Sequence, residues 1–243
     1  MKLRTCSQAE LSHAWALFAT EFDQKELLPQ LAVRRAMLRG DMELLAVTDE
    51  TSGIDLAFAL VGCRGLYGYV WLKYLAVLPW YRERGVGIET MRMLNRRYAD
   101  RQGIVTELTD FGNDGDETLR ALRKFFARFG YVEVESGARL GGVEDHVMVK
   151  PIKGTEELEP VIRRVLLDFY DRAATPLSRQ KMLSFAEEEV TFAPAASVTT
   201  HQYRLPSSMA RIFVSVRAAV AVPLFRSLSF SVTVSVFVYL VYH

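Results

Sequence analysis

The chain has 243 residues, of which 50% are hydrophobic and 24% are charged, and this is the composition of a globular protein. Its formal net charge is +1, which argues against general nucleic-acid binding because that function needs a basic face. Two cysteines are too few for a disulfide framework, and the first residues lack the apolar stretch of a signal peptide. We therefore expect a reduced, cytoplasmic setting.

The first forty residues predict a short strand followed by two helices. The strand is expected at 1–5, and Ser7 with Glu10 has the spacing of a capping box that begins the first helix. Apolar residues then recur at helical spacing, at Leu11, Trp15, Phe18 and Phe22. The second helix is predicted from about residue 25 to 38, with Gly40 as its stop.

Three strands are predicted next, at 43–48, 54–63 and 69–77. Their aromatic, β-branched and apolar residues favour strands, and the segment 49–53 (DETSG) has the composition of a hairpin turn. Pro79 cannot donate a hydrogen bond to a sheet, so the third strand ends before it. The order predicts an antiparallel meander.

The segment after Pro79 indicates a turn that binds a diphosphate. Arg82 and Arg84 supply positive charge, Gly85 and Gly87 allow an anion to approach the backbone, and helical spacing begins at Ile88. The free N–H groups and positive dipole end of a helix N-terminus favour an anion. A dinucleotide-binding G-x-G-x-x-G turn does not fit, because its last glycine would fall at Thr90.

The helix after this turn is expected to run to about residue 101, and short strands and one more helix follow. Strands are predicted at 104–108, 131–135 and 146–150, and a helix at 118–129. The acidic segment 110–116 (DFGNDGD) lacks the acid spacing of a calcium loop, so it is interpreted as a solvated loop. The four histidines are scattered and predict no metal site.

Two segments carry a resemblance to a known family. Residues 82–87 (RERGVG), preceded by LAVLPWY, resemble the (Q/R)-x-x-G-x-(G/A) motif and the strand before it in the GNAT acyl-CoA N-acyltransferases. Residues 124–131 (KFFARFGY) are similar to the second GNAT signature, F-Y-x-x-x-G-F. The resemblance covers about residues 1–152. It implies an α/β fold of the α+β type, with a mixed, mostly antiparallel central sheet flanked by helices.

The resemblance also implies a function. It predicts an N-acetyltransferase that moves an acetyl group from acetyl-CoA to a primary amine by direct transfer, without an acyl-enzyme. The partners would be acetyl-CoA as cosubstrate and an amine of a small molecule or a protein, and the resemblance leaves a homodimer open. The cofactor-binding residues carried over from the family are Leu75, Ala76, Val77, Arg82, Glu83, Arg84, Gly85, Val86 and Gly87.

The acid–base residues depart from the family pattern at two positions. Many members have a carboxylate where this chain has Tyr74, and Phe126 replaces the tyrosine that usually protonates the leaving thiolate. Glu107, on the following strand, is the remaining carboxylate for a base or a water relay, and Tyr74 or Tyr131 is a substitute for the missing acid. These departures keep an alternative open, in which the chain is a non-catalytic acyl-CoA-binding module with a regulatory role.

The sequence beyond the resemblance divides into a helix and an extension. We predict a GNAT domain at 1–152, a C-terminal helix packing on it at 153–174, and an extension at 175–243. Residues 173–206 are interpreted as a linker with one short helix near 178–188. The last stretch, 227–242, carries no charge and alternates apolar and small polar residues as strands do. A strand, a membrane anchor and a sequence that was never selected all stay open for this tail.

Overall fold

A computed structural model describes residues 1–109, 115–153, 157–173 and 182–185, together with the backbone of two strands at 214–219 and 231–236. The chain divides into two compact units, one at 1–186 and the other at 187–243. The second unit contains the antiparallel strands Val214–Ala219 and Ser231–Val236, within the region predicted as an extension. No helix in the described ranges is long and apolar enough to cross a membrane. The predicted acidic loop lies mostly outside the described residues.

The first unit alternates helices and strands around one large sheet. The helices are α1 (Leu11–Glu21), α2 (Gln30–Arg39), α3 (Val86–Arg97), α4 (Gly115–Ala127) and α5 (Leu158–Ala173). The strands are β1 (Lys2–Thr5), β2 (Met42–Thr48), β3 (Asp55–Gly62), β4 (Val70–Val77), β5 (Gly103–Thr109), β6 (Val132–Val134), β7 (Ala138–Leu140), β8 (Val143–Pro151) and β9 (Leu183–Phe185). The capping box at Ser7 and Glu10 is present, one turn before α1.

The sheet has nine strands in the order β1-β2-β3-β4-β5-β8-β7-β9, with β6 also paired to β8. Strands β2 to β4 form the predicted antiparallel meander, and β1 pairs antiparallel with β2, whereas β4 and β5 are parallel and are joined through α3. The fold class predicted from the sequence, a mostly antiparallel sheet flanked by helices, is therefore confirmed.

Helices cover both faces of the sheet. On one face Trp71 and Phe58 pack with Leu11 and Phe18 of α1 and with Phe169 of α5. On the other face the core combines apolar residues of the sheet with α3 and α4, including Val70, Leu72, Met91, Leu94 and Phe126. Burial on both faces explains why β4 is almost continuously apolar.

Two predicted elements are corrected. Helix α2 begins at Gln30 rather than near residue 25, because Pro29 disfavours helical geometry in the residue before it. Residues 23–27 form a turn instead, in which the Asp23 carbonyl accepts hydrogen bonds from the amides of Glu26 and Leu27. The helix predicted near 178–188 is wrong at Leu183–Phe185, which is strand β9, and most of its other residues lie outside the described part.

Candidate active site

Strands β4 and β5 separate part of the way along the sheet. They pair at only three positions within the described residues, from Val70 with Ile104 to Leu72 with Thr106. The Thr106 hydroxyl donates a 2.9 Å hydrogen bond to the Leu72 carbonyl at the last pair. Beyond that pair β4 continues to Val77 while β5 follows β8 instead, so one backbone edge of β4 faces a gap.

A β-bulge marks the start of the gap. Leu60 of β3 pairs with Tyr74 and the next residue, Val61, pairs with Leu72, so Lys73 is an extra residue in β4. A bulge re-aims side chains and often adjoins an active site. Here it brings Lys73 and Tyr74 to the point where the two strands part.

The predicted diphosphate turn lies at the far end of β4. Residues 82–85 are exposed or partly exposed, and the backbone is left-handed at Glu83 (φ 59°) and at Gly85 (φ 77°). Gly85 is the N-cap of α3, and no side chain among the described residues caps that end of the helix. The first N–H groups of α3 are therefore available to an anion, as a phosphate site requires.

The arginines of this turn have different surroundings. Arg82 makes a 2.5 Å ion pair with Glu21 at the end of α1, and its Nε donates to the Val77 carbonyl at 3.3 Å. Arg84 is exposed, with its guanidinium 6.0 Å from the centre of the Tyr81 ring. Arg82 thus links the turn to both α1 and the end of β4.

Helix α4 adds an apolar wall beside the turn. A groove of about 460 Å³ is lined by one face of this helix, at Glu117, Thr118, Ala121, Leu122 and Phe125. The Phe125 ring lies 3.9 Å from the place that a Cβ on Gly87 would occupy. The groove therefore adjoins the second glycine of the turn.

A buried ion pair occupies the separated strands. Lys73 Nζ donates to Glu107 Oε2 at 2.6 Å and lies 2.9 Å from the hydroxyl of Tyr170, which donates to Glu107 Oε1 at 2.7 Å. The Lys73 and Glu107 side chains are 0% and 1% exposed. Burial lowers the pKa of Lys73, but the Glu107 carboxylate and the neighbouring Tyr74 and Glu26 together more than offset this and the pKa is raised, so the lysine is charged.

A second carboxyl group lies beside this ion pair. Asp145 of β8 is buried and its Oδ1 accepts a 2.8 Å hydrogen bond from Thr109. Burial, and then the neighbouring Glu107 charge, raises the pKa of Asp145. Burial therefore favours the protonated form of Asp145.

A third carboxyl group comes from the loop between α1 and α2. Glu26 is 8% exposed, and burial raises its pKa to about 7, with Lys73 acting in the opposite direction. The backbone around it is fixed by Tyr74, whose hydroxyl donates to the Glu26 carbonyl at 3.0 Å and accepts from the Leu28 amide at 2.8 Å.

The predicted site residues fall into two groups. The nine predicted cofactor-binding residues lie together along the free edge of β4 and the turn after it. Glu107 and Tyr74 both lie at the bulge, with their polar atoms already bonded inside the protein: both Glu107 oxygens accept hydrogen bonds, and Tyr74 is buried with a raised pKa. Their catalytic roles stay predictions.

Tyr131, the other tyrosine predicted as a substitute for the acid, does not present an accessible hydroxyl. Phe126 is a buried core residue in contact with Tyr131, whose hydroxyl is buried without a hydrogen-bond partner in the part of the chain that the structure describes. Burial raises the pKa of Tyr131, so its phenol stays protonated.

Sequence reasoning missed Lys73, Glu26 and Tyr170. Lys73 has a signal, since it is the one charged residue in an apolar strand. Glu26 has none, because the apolar spacing around it predicts a helix rather than a loop. Tyr170 lies in α5, outside the range of the family resemblance.

The comparisons with known proteins concern the fold. No family model and no curated protein sequence matches the chain. A solved structure of a GNAT-family protein from Bacteroides thetaiotaomicron, described as an acetyltransferase, is similar with a TM-score of 0.55 and 16% identity, over 68% of this chain and 96% of that one. The ribosomal-protein-S18-alanine N-acetyltransferase from Escherichia coli gives a TM-score of 0.48 and 17% identity, over 64% and 96% of the two chains. The TM-score of 0.48 is too low to carry an argument. The TM-score of 0.55 establishes that the chain has the GNAT acetyltransferase fold.

Proposed function

We propose that the protein is an N-acetyltransferase that transfers an acetyl group from acetyl-CoA to a primary amine within a ternary complex. The observation that carries the proposal is the free edge of β4 leading into an uncapped helix N-terminus at Gly85. An extended strand edge followed by exposed backbone donors suits a long cosubstrate with a diphosphate at one end.

The residues present fit acetyl-CoA. The amides of residues 86–88 and the exposed Arg84 would hold the diphosphate, with Arg82 beside it. The backbone of 75–77 would hold the extended arm along the gap, next to the α4 groove. Acetyl-CoA supplies the thioester, whose carbonyl carbon forms a bond to the amine nitrogen while the carbon–sulfur bond breaks.

The chain would accelerate this step mainly by holding the two reactants together. We propose Glu107, the remaining carboxylate of the sheet, as the group that receives, through a water, the proton that the nitrogen loses once the new bond has formed. Its two oxygens accept hydrogen bonds from Lys73 and Tyr170, so the orientation of the carboxylate is fixed. The thiolate would take its proton from water, since Phe126 has no hydroxyl.

Calorimetry with acetyl-CoA tests the cofactor site. We expect the full chain to bind acetyl-CoA and the double variant Arg82→Ala/Gly85→Val to lose at least about tenfold in affinity, because one arginine and the left-handed N-cap are removed. Matched controls are Arg92→Ala, an exposed arginine on α3, and Gly53→Val, a left-handed glycine (φ 72°) that resembles Gly85 in having open space around it within the described structure. No binding by the folded wild-type chain would refute the proposal.

Two observations favour a second candidate, a non-catalytic acyl-CoA-binding module. Phe126 lacks the hydroxyl of the usual acid, and Tyr74 uses its hydroxyl to fix the Glu26 loop. Tight acetyl-CoA binding without release of thiol to any primary amine would favour that module.

A further inference from the structure

Glu26 is a largely buried residue whose carboxylate, among the described residues, lacks a direct partner. The residue is 8% exposed, yet its side chain makes no hydrogen bond and no ion pair with any residue that the structure describes. Placing a carboxylate in a largely buried position without a partner costs free energy, so its presence at this point calls for a specific explanation.

The neighbouring cation does not meet this need. Lys73 Nζ is already bonded to Glu107 and to Tyr170. The charged groups that influence Glu26 are Lys73 of β4, Glu107 of β5 and Asp23 of its own loop. Lys73 and Glu107 offset each other, so an ionised Glu26 leaves one uncompensated negative charge at the point where β4 and β5 part.

The loop that carries Glu26 is held firmly. The hydroxyl of Tyr74 bonds to both sides of the loop, at the Glu26 carbonyl and the Leu28 amide, and the Asp23 carbonyl accepts from the Glu26 amide. The backbone at Glu26 is therefore held by the bulged part of β4.

We propose that Glu26 binds the ammonium group of an aliphatic primary amine and takes up its proton before the amine attacks the thioester, an inference that rests on the proposed N-acetyltransferase function. The ammonium brings the missing positive charge. The proton moves from nitrogen to a Glu26 oxygen, which frees the nitrogen lone pair that forms the new bond to carbon. A carboxyl group with a pKa of about 7 is suited to this exchange near neutral pH.

The proposal selects a class of acceptor. Aliphatic amines carry a full charge at neutral pH, whereas aromatic amines are uncharged and offer nothing to an unpaired carboxylate. We therefore expect alkylamines and other aliphatic ammonium compounds, and not anilines, to occupy the site.

A binding experiment tests the proposal without knowledge of the natural acceptor. In the presence of acetyl-CoA at about pH 8, n-butylammonium chloride should raise the melting temperature of the full chain relative to sodium chloride at equal ionic strength, and aniline should not. Glu26→Gln should lose this shift. The control Asp23→Asn lies on the same loop and keeps the side-chain oxygen that accepts from the Lys25 amide, so it should retain the shift.

Kinetics supply the second measurement. Thiol release with n-butylamine should fall at least about tenfold in kcat/KM for Glu26→Gln, and the acidic limb of the wild-type pH profile near 7 should disappear. Glu26→Asp should recover part of the rate. A variant Glu26→Gln that keeps both the thermal shift and the pH profile would overturn the proposal.

The affinity for acetyl-CoA distinguishes a failure of the proposed function from a failure of the proposed role of Glu26. Glu26→Gln should bind acetyl-CoA as tightly as the wild type, because Glu26 is not part of the predicted cofactor turn. If the wild type itself fails to bind acetyl-CoA, the proposed function falls. If it binds and Glu26→Gln behaves as the wild type with amines, only the role of Glu26 falls.

Discussion

Lys73 is the only charged side chain of β4, and it is completely enclosed. Its partners, Glu107 and Tyr170, come from β5 and α5, so one ammonium group joins three elements. A buried ion pair contributes little net stability when complete, but removing one partner leaves a buried charge that nothing compensates.

Lys73→Met should therefore lower the free energy of unfolding by about 3–5 kcal/mol, measured by urea denaturation. Lys150→Met, at a partly exposed position on β8, should cost less than about 1 kcal/mol. Adding Glu107→Leu to Lys73→Met should recover part of the loss, because the Glu107 carboxylate is then no longer left buried without its partner. A double variant less stable than the single one would contradict this account.

Glu26 makes stability depend on pH. Burial raises the pKa of its carboxyl from 4.5 to about 7, so the folded chain holds this proton at pH values where the unfolded chain has lost it. The free energy of unfolding should fall as pH rises from about 4.5 to 7, by up to about 3 kcal/mol, and stay low above that range. Glu26→Gln removes the effect, so its stability relative to the wild type should increase over this range. A difference that is constant with pH would rule the effect out.

At the scale of elements, α5 is an integral part of the sheet core. The Phe169 ring stacks on Trp71 at 4.8 Å with an interplanar angle of 12°, and Asp168 accepts a 2.7 Å hydrogen bond from the Leu66 amide. Arg39 of α2 donates to the Arg172 carbonyl at 2.7 Å. The helix is thus fastened at its middle and at its end.

The close approach of α5 to β3 requires a glycine. A Cβ on Gly62 would lie 2.7 Å from the Phe169 ring and 3.4 Å from Cβ of Trp71. We expect Gly62→Ala to lower the free energy of unfolding by about 1–3 kcal/mol, and Phe169→Leu in the same chain to recover part of it by making room. Thermal unfolding measures both effects. If the losses from Gly62→Ala and Phe169→Leu simply add in the double variant, the contact between these two positions is not the cause.

Local sequence patterns predict the helices, strands and turns better than they predict the candidate site. The meander, α1 and the turn at 82–87 depend on local spacing, glycine and proline, so they can be predicted from the sequence. The start of α2 is harder to predict, because the effect of Pro29 on the preceding residue competes with helical apolar spacing before it. Strand β9 is missed because its three residues are too few to show a strand pattern, and their strand conformation depends on pairing with β7.

At the scale of the whole molecule, the cluster of Lys73, Glu107 and Tyr170 at the bulge could not be predicted from the sequence. A one-residue bulge leaves no signature in the sequence of β4, yet it decides where Lys73 and Tyr74 point. The partners of Lys73 lie 34 and 97 residues further along the chain, and only the order of strands and helices brings them together. Long-range pairing of this kind needs the three-dimensional fold.

The bond between Lys73 and Tyr170 has a consequence for biosynthesis. A ribosome makes the cofactor turn early, but α5 emerges only after every strand up to β8 has been synthesised. Until then the ammonium of Lys73 lacks one of its two partners, and contacts distant in sequence form slowly. All residues of the proposed cofactor turn would therefore have been synthesised well before Tyr170 could complete the cluster around Lys73.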